Sequence, residues 1–382
     1  MKTLLLCFVH GFKGGDDTFG SFPNDLQRLL TNALSNVTVR SLVYPKFETR
    51  GDLAQCVSRF RDWLEEKVID LEVQNATPSP TIDPSVRTIL IGHSMGGIVA
   101  ADTLLSLTSD QPIESSGILG SSETHLNTLM FPYVQGVLAF DTPYLGISPG
   151  VVAHGAEEHY NAASSAITQL SGLAGGFWGA KAAASAETKE EKPRAALPAP
   201  PTSTNTTTSA WGKWSNIAIA AGSVAAVAGA GAAAFVNRDK ITEGFGWASS
   251  HLEFVGCLMK GEDLRKRVNT LITLNKELHV GWANLYTRLG QQAVGENGSM
   301  VGSVIGNQRT FCNLPKSDAK AYWYEAINDA AKDETGAHTT MFYPKDNPGY
   351  HDLAESARNL IVDWTTSEWY ESNNSGTVMG LD

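Results

Sequence analysis

A serine held between two glycines, in Gly92-His93-Ser94-Met95-Gly96, carries the strongest chemical signal in this chain. The spacing has a physical cause. A serine at the tip of a sharp strand-to-helix turn sits in a strained backbone, and glycines two residues to either side let neighbouring segments pass that closely. The turn lifts the hydroxyl out of the sheet as a nucleophile. The N–H of the next residue, Met95, faces the same space from a helix N-terminus. Out of context the pentapeptide also fits an ordinary glycine-rich turn. A second glycine-rich loop, His10-Gly11-Phe12-Lys13-Gly14-Gly15, follows the apolar run that ends at Val9. Its His10 reads as a structural residue whose ring fixes the loop, since a catalytic base must come within reach of the nucleophile.

The elements that must position these residues alternate between strand and helix. Thr3 to Val9 is a continuous apolar run of strand length, as expected of a strand buried on both faces. Phe22 to Leu34 has apolar residues at helical spacing, with Pro23 suited to a first turn. Val37 to Tyr44 alternates and stops at Pro45, and Asp52 to Leu71 is a long amphipathic helix. Asn75 to Pro84 is a turn-rich loop with three prolines. Val86 to Ile91 is the strand that runs into Gly92, Met95 to Leu107 is the helix behind it, and Val134 to Phe140 is a fourth strand. Further on, Glu262 to Leu278 reads as helix, Trp282 to Leu289 and Tyr322 to Ile327 as strands, and Leu353 to Trp364 as a closing amphipathic helix. Strands alternating with helices predict an α/β fold, a mostly parallel sheet with helices on both faces.

Composition narrows the class. With 382 residues, 42% hydrophobic and 18% charged, the chain has ample apolar material for a large core. Its 29 Lys and Arg against 40 Asp and Glu give a formal net charge of −11, which excludes a generally basic nucleic-acid binder. Cys7, Cys56, Cys257 and Cys312 lie far apart with no C-x-x-C pair, so neither a zinc module nor a disulfide scaffold is indicated. The spaced His, Asp and Glu clusters that a metal needs are missing, and no metal or organic cofactor is expected. Met1 to Val9 resembles a secretory signal, yet no small-residue cleavage site follows. The expectation is a buried strand in an unexported, cytoplasmic protein.

The motifs resemble the α/β-hydrolase superfamily, and within it the serine esterases and lipases. The resemblance is carried by Phe8-Val9-His10-Gly11-Phe12, by Gly92-His93-Ser94-Met95-Gly96-Gly97, by Ala139-Phe140-Asp141-Thr142-Pro143-Tyr144-Leu145-Gly146 and by Gly336-Ala337-His338-Thr339-Thr340-Met341-Phe342. The third is similar to a Thr-Pro-His-x-Gly element of many lipases, with Tyr144 standing where they have histidine. It covers roughly residues 1–150 and 262–366. The resemblance implies a hydrolase fold shortened by the superfamily's first two strands. It also implies an oxyanion hole built from the N–H groups of Phe12 and Met95, and a chain order of serine, acid, histidine. Ser94 would then be the nucleophile. His338, in a Gly-Ala-His loop, stands where the base is expected; His351, beside Tyr350 at the start of the closing helix, suits a surface or capping role. Several carboxylates compete as the acid. Asp141 ends the strand after the nucleophile strand at the same sheet edge, Asp329 and Asp333 shortly precede His338, and Glu296 and Asp318 follow Trp282–Leu289. Asp141 is preferred, to orient the imidazole and stabilise its cation. Its other reading is a loop-capping carboxylate.

Between the two resembling parts the composition changes. Ala162 to Ala186 is rich in Ala, Gly and Ser, and Lys189 to Thr208 is charged and then rich in Pro and Thr, as linkers are. Ile217 to Val236 is uncharged, dominated by Ala and Gly and flanked by Trp211 and Trp214. About 20 apolar residues span a bilayer, but Ala and Gly drive insertion weakly. A single span would also put Ser94 and His338 on opposite sides of the membrane. The 217–236 segment is therefore expected as a long Ala/Gly-rich helix packed on the hydrolase, as an apolar lid touching a membrane surface, or as a span paired with a second one, for which Ala162 to Ala186 is the candidate. The expected organisation is one hydrolase domain in two parts, 1–146 and 261–382, with 147–260 inserted. The expected function is hydrolysis of a carboxylic ester, lipid or otherwise, through an acyl-enzyme. The reading from another class is a non-catalytic module of the same shape that binds a membrane or a partner.

Overall fold

The apolar run Thr3–Val9 forms strand β1, and all seven of its residues are buried. Alternate side chains serve opposite faces: Leu5, Cys7 and Val9 join one core, and Leu4, Leu6 and Phe8 join the other. That is the pattern of a strand in the middle of a covered sheet. A computed structural model of the protein describes residues 1–12, 14–47, 52–109, 130–149, 151, 256–290 and 309–372. These form a six-stranded sheet with β2 (Thr38–Val43), β3 (Val86–His93), β4 (Val134–Phe140), β5 (Gly281–Leu289) and β6 (Trp323–Asn328), in the order β2-β1-β3-β4-β5-β6. Every neighbouring pair is parallel.

Helices cover both faces, as an all-parallel sheet requires. Helices α2 (Leu53–Gln74), α3 (Met95–Ser109) and α4 (Gly261–Leu278) bury Phe60, Leu64, Leu104 and Leu271 on one face. On the other, α1 (Phe22–Ala33) buries Leu26 and Leu30 against Leu353 and Ile361 of the late helix Tyr350–Trp364. The fold class is the one the sequence predicts.

The differences are local. Helix α2 runs to Gln74, past the expected end at Leu71, because the buried Glu72 carboxylate is fully used there. It accepts from the N–H groups of Ser85 (3.1 Å) and Val86 (2.9 Å) and from the Thr77 and Ser85 hydroxyls, which ties the last turn to the start of β3. A short helix, α5 (Glu334–Thr340), stands where a loop was expected around His338. Asp333 caps it, its side chain accepting from the N–H of Gly336 at 2.6 Å. Arg309 holds the first turn through two bonds to the buried Glu334, of 2.9 and 3.2 Å. The closing helix, α6 (Tyr350–Trp364), starts three residues earlier than predicted, since Tyr350 is buried edge-on to Phe22. A last turn, α7 (Glu368–Glu371), is latched by Arg87, whose guanidinium lies 4.5 Å from the Trp369 ring and 4.6 Å from that of Tyr133.

The strand order fixes where chemistry can happen. From β1 the sheet grows in one direction to β2 and in the other through β3 to β6. The carboxyl ends of β1 and β3 therefore flank the point where the order reverses, the place at which open α/β sheets bind ligands. Val9 is registered opposite Gly92, and His93 opposite Phe140. The residues after these strands, His10-Gly11-Phe12, Ser94 and Asp141, thus leave the sheet side by side. The segments 162–186, 189–208 and 217–236 lie outside the described residues, as do Lys13 and Glu296. Among the described residues no helix is long and apolar enough to cross a membrane, and no group of three or more His, Cys, Asp and Glu could hold a metal ion.

Candidate active site

Ser94 occupies the turn between β3 and α3 with φ of +55°, the left-handed region that costs a non-glycine residue about 1–3 kcal/mol. Two features hold it there. Its N–H donates to the carbonyl of Phe140 at 3.0 Å, pinning the turn to the end of β4. A Cβ at Gly96 would also run into the carbonyl of Val9, and one at Gly92 into the backbone of Gly97, so the helix can follow the strand this closely only with glycine at both places. The loop after β1 passes equally close: a Cβ on Gly11 would lie 2.7 Å from Cβ of Ser94 and 3.2 Å from the amide nitrogen of Met95. Met95 opens α3, where backbone N–H groups have no intrahelical acceptor.

Asp141 follows β4, also in the left-handed region with φ of +46°, and is completely buried. Its N–H donates to Leu285 at 2.8 Å. The carboxylate is surrounded by donors. Oδ1 accepts from the N–H of Thr287 at 3.1 Å, and Oδ2 accepts from the Thr287 hydroxyl at 2.5 Å and from Nδ1–H of His338 at 2.8 Å. The Cys312 thiol lies against it as well; burial, and then the neighbouring Asp141 charge, push that thiol well above its ordinary value, so it stays protonated. The next residue is clamped too, because the Asn284 amide on β5 accepts from the N–H of Thr142 (3.1 Å) and donates to its carbonyl (3.0 Å). Tyr144, where the resemblance expects histidine, is buried and donates to the carbonyl of Gly97 at 2.9 Å, joining this loop to α3.

The His338 ring is set by its neighbours. An ionised carboxylate only accepts, so Nδ1 carries the proton and Nε2 is the basic nitrogen of the neutral ring. Phe311 stacks on His338 with centroids 3.6 Å apart and planes 13° apart, and His93 stacks at 4.5 Å and 30°. Nε2–H of His93 donates to the backbone carbonyl of His338 at 3.1 Å. Burial, and then the adjacent His338, hold His93 well below the ordinary histidine range, so it is neutral.

Ser94 and His338 line one cavity of about 520 Å³, together with Phe12 and Met95. Ser94 Oγ is not hydrogen-bonded to His338 here. The cavity lining includes the apolar side chains of Pro143, Ile147, Leu258 and Phe311 and the hydroxyl-bearing Thr18, Thr335, Thr339 and Tyr343. A second cavity of about 580 Å³ lies between α2, α3 and α4, over the Asp102–Arg267 ion pair, and holds none of these groups.

The sequence candidates Ser94, Asp141, His338, Phe12 and Met95 therefore meet at the carboxyl edge of the sheet. His338 comes from a helix and not from the expected loop, because Asp333 and the Arg309–Glu334 pair wind that segment up. Of the competing carboxylates, Asp333 caps α5 and is exposed, Asp318 and Asp329 are exposed, and none of the three bonds to His338. His351 is exposed on α6. His10 is buried, with Nδ1 3.0 Å from the carbonyl of Gly11 and its ring stacked on Phe47 at 4.5 Å. Sequence reasoning missed His93, Asn284, Thr287, Phe311 and Cys312 as parts of the site. Asn284 and Thr287 had a signal: both interrupt the apolar residues of the run Trp282–Leu289, and both are buried. Phe311 and Cys312 had none.

No family model matches this sequence, and no curated protein does. Solved structures resemble it weakly. The phospholipase PlaB from Legionella pneumophila aligns with a TM-score of 0.28 at 14% identity, over 40% of this chain and 27% of the phospholipase. A cutinase-like protein from Cryptococcus sp. gives 0.24 at 18% identity, over 39% of this chain and 56% of its own. A carboxylesterase structure from the ammonia-oxidising thaumarchaeon Nitrososphaera gargenis gives 0.36 at 12% identity, over 94% and 92%. The chain thus spans about a quarter of the phospholipase and little more than half of the cutinase-like protein. Likenesses of this strength leave the chemistry to the side chains.

Proposed function

We propose that this chain, an α/β-hydrolase in fold, is a serine hydrolase that cleaves carboxylic esters through an acyl-enzyme. The observation that carries the reading is the buried Asp141–His338 hydrogen bond of 2.8 Å in the wall of the cavity that Ser94 enters from a strained turn. In this reading Ser94 Oγ attacks the ester carbonyl carbon as Nε2 of His338 takes its proton. The carbonyl oxygen becomes an oxyanion held by the N–H groups of Phe12 and Met95; one such donor is worth about 10²–10³ in turnover. The C–O bond to the alcohol then breaks, and His338 protonates the departing oxygen. Water repeats the sequence with the acyl-enzyme and frees the acid. Asp141 keeps the proton on Nδ1 and stabilises the imidazolium formed in each half. The apolar lining residues Pro143, Ile147, Leu258 and Phe311 suit a hydrocarbon acyl part.

A fluorophosphonate probe tests the reading. Covalent labelling of the wild type, absent in Ser94→Ala, is expected together with hydrolysis of a p-nitrophenyl ester. Failure of both proteins to react leaves the non-catalytic binding module as the better account.

A further inference from the structure

We propose that His93 is a positioning residue: by donating from Nε2–H to the backbone carbonyl of His338, it holds the base in place in the wall of the cavity that Ser94 also lines. The inference rests on the hydrolase reading above. His338 lies in the last turn of α5, a helix of seven residues, and the final carbonyls of a helix have no intrahelical donor. The His338 carbonyl is buried with the rest of the residue, where an unmet acceptor is costly. The partner it finds is the side chain that directly precedes the nucleophile. The ring that donates also stacks on the ring it positions, 4.5 Å away, and is itself packed edge-on to Phe342 at 5.3 Å. Nucleophile and base are thus referred to one rigid turn, although 245 residues separate His93 from His338. A neutral ring suits this place. A charged one would oppose the imidazolium that His338 must become, and burial keeps His93 uncharged.

The roles of donor and ring separate in two variants. His93→Gln keeps an N–H donor at a similar reach without the ring; His93→Phe keeps a ring without the donor. Relative to wild type, His93→Phe is expected to lose about 10–100-fold in kcat with KM within about twofold, as a small misplacement of a catalytic group does. His93→Gln is expected to stay within a few-fold. Nuclear magnetic resonance supplies a readout independent of turnover: the downfield proton shared by His338 Nδ1 and Asp141 should be sharp in wild type and His93→Gln and broadened in His93→Phe. Should His93→Phe not fold, His93→Leu, which also lacks the donor, replaces it. Wild-type kcat with an unchanged downfield proton in the donor-free variant overturns the proposal. So does an equal loss in Gln and Phe, or a loss that merely follows a lowered melting temperature. An inactive, unlabelled wild type that retains the shared proton, with the same response to His93→Phe, refutes the hydrolase reading and leaves the positioning contact standing.

Discussion

Asp141 and His338 are 197 residues apart in the chain, yet Oδ2 of the first lies 2.8 Å from Nδ1 of the second. Neither is free to turn away. The carboxylate is fixed by both donors of Thr287 and lies against Cys312, and the imidazole lies against Phe311 and His93. Preorganisation of this kind lets a buried carboxylate favour one tautomer of its partner.

Asp141→Asn is expected to lower kcat by about 10²–10⁴ with little change in KM, because an amide N–H facing Nδ1 favours the tautomer that cannot accept the Ser94 proton. Steady-state kinetics on a chromogenic ester measures it. An effect below tenfold would remove Asp141 from the mechanism.

Thr287→Val removes the hydroxyl that donates to Oδ2 but keeps the backbone donor. A buried carboxylate short of one charge-assisted bond costs about 1–3 kcal/mol, read as a lower denaturation midpoint. The looser acid should also reduce kcat about tenfold.

Gly11→Ala places a methyl group 2.7 Å from Cβ of Ser94, where neither backbone can yield without moving the turn. The expected outcome is a destabilisation of about 1–3 kcal/mol with loss of fluorophosphonate labelling. A variant that labels at the wild-type rate would show that the two loops are further apart than described.

Acid should weaken the fold through two histidines. Burial is the main cause holding both His93 and His10 below the ordinary value, so each takes up its proton at a lower pH when folded than when unfolded. Unfolded, each binds a proton near pH ~6.5. Below that value and above the folded ones the unfolded chain holds more protons, so stability rises with pH through this window. The contribution is complete above pH ~6.5 and is lost as pH falls toward the folded values. Melting temperature should drop between about pH 7 and about pH 5, and less steeply in His93→Gln. Parallel curves for the two proteins would contradict this.

How much of this was legible depended on what each residue touches. The turn at Ser94 could be read because its geometry dictates residue type: a side chain at Gly92 or Gly96 meets backbone. The sheet could be read because strands buried on both faces show as unbroken apolar runs, β1 most plainly. Asp141 stood out only weakly among several carboxylates, since the distance from a carboxylate to an imidazole is decided by which strands pair. Helix α5 was missed because seven residues carry too little periodicity, and its stability comes from a cap and an ion pair to Arg309. Phe311 and Cys312 acquire their meaning through contacts with Asp141 and His338, which local patterning does not encode.

The pairing of β4 with β5, Gly136 with Gly281 through to Phe140 with Leu285, joins the part of the chain that carries Ser94 and Asp141 to the part that carries His338. In the proposed reading, reactivity is therefore a property of the assembled pair. On that reading, a ribosome that has released only the first part has made an inert serine, and prising these two strands apart would silence it again.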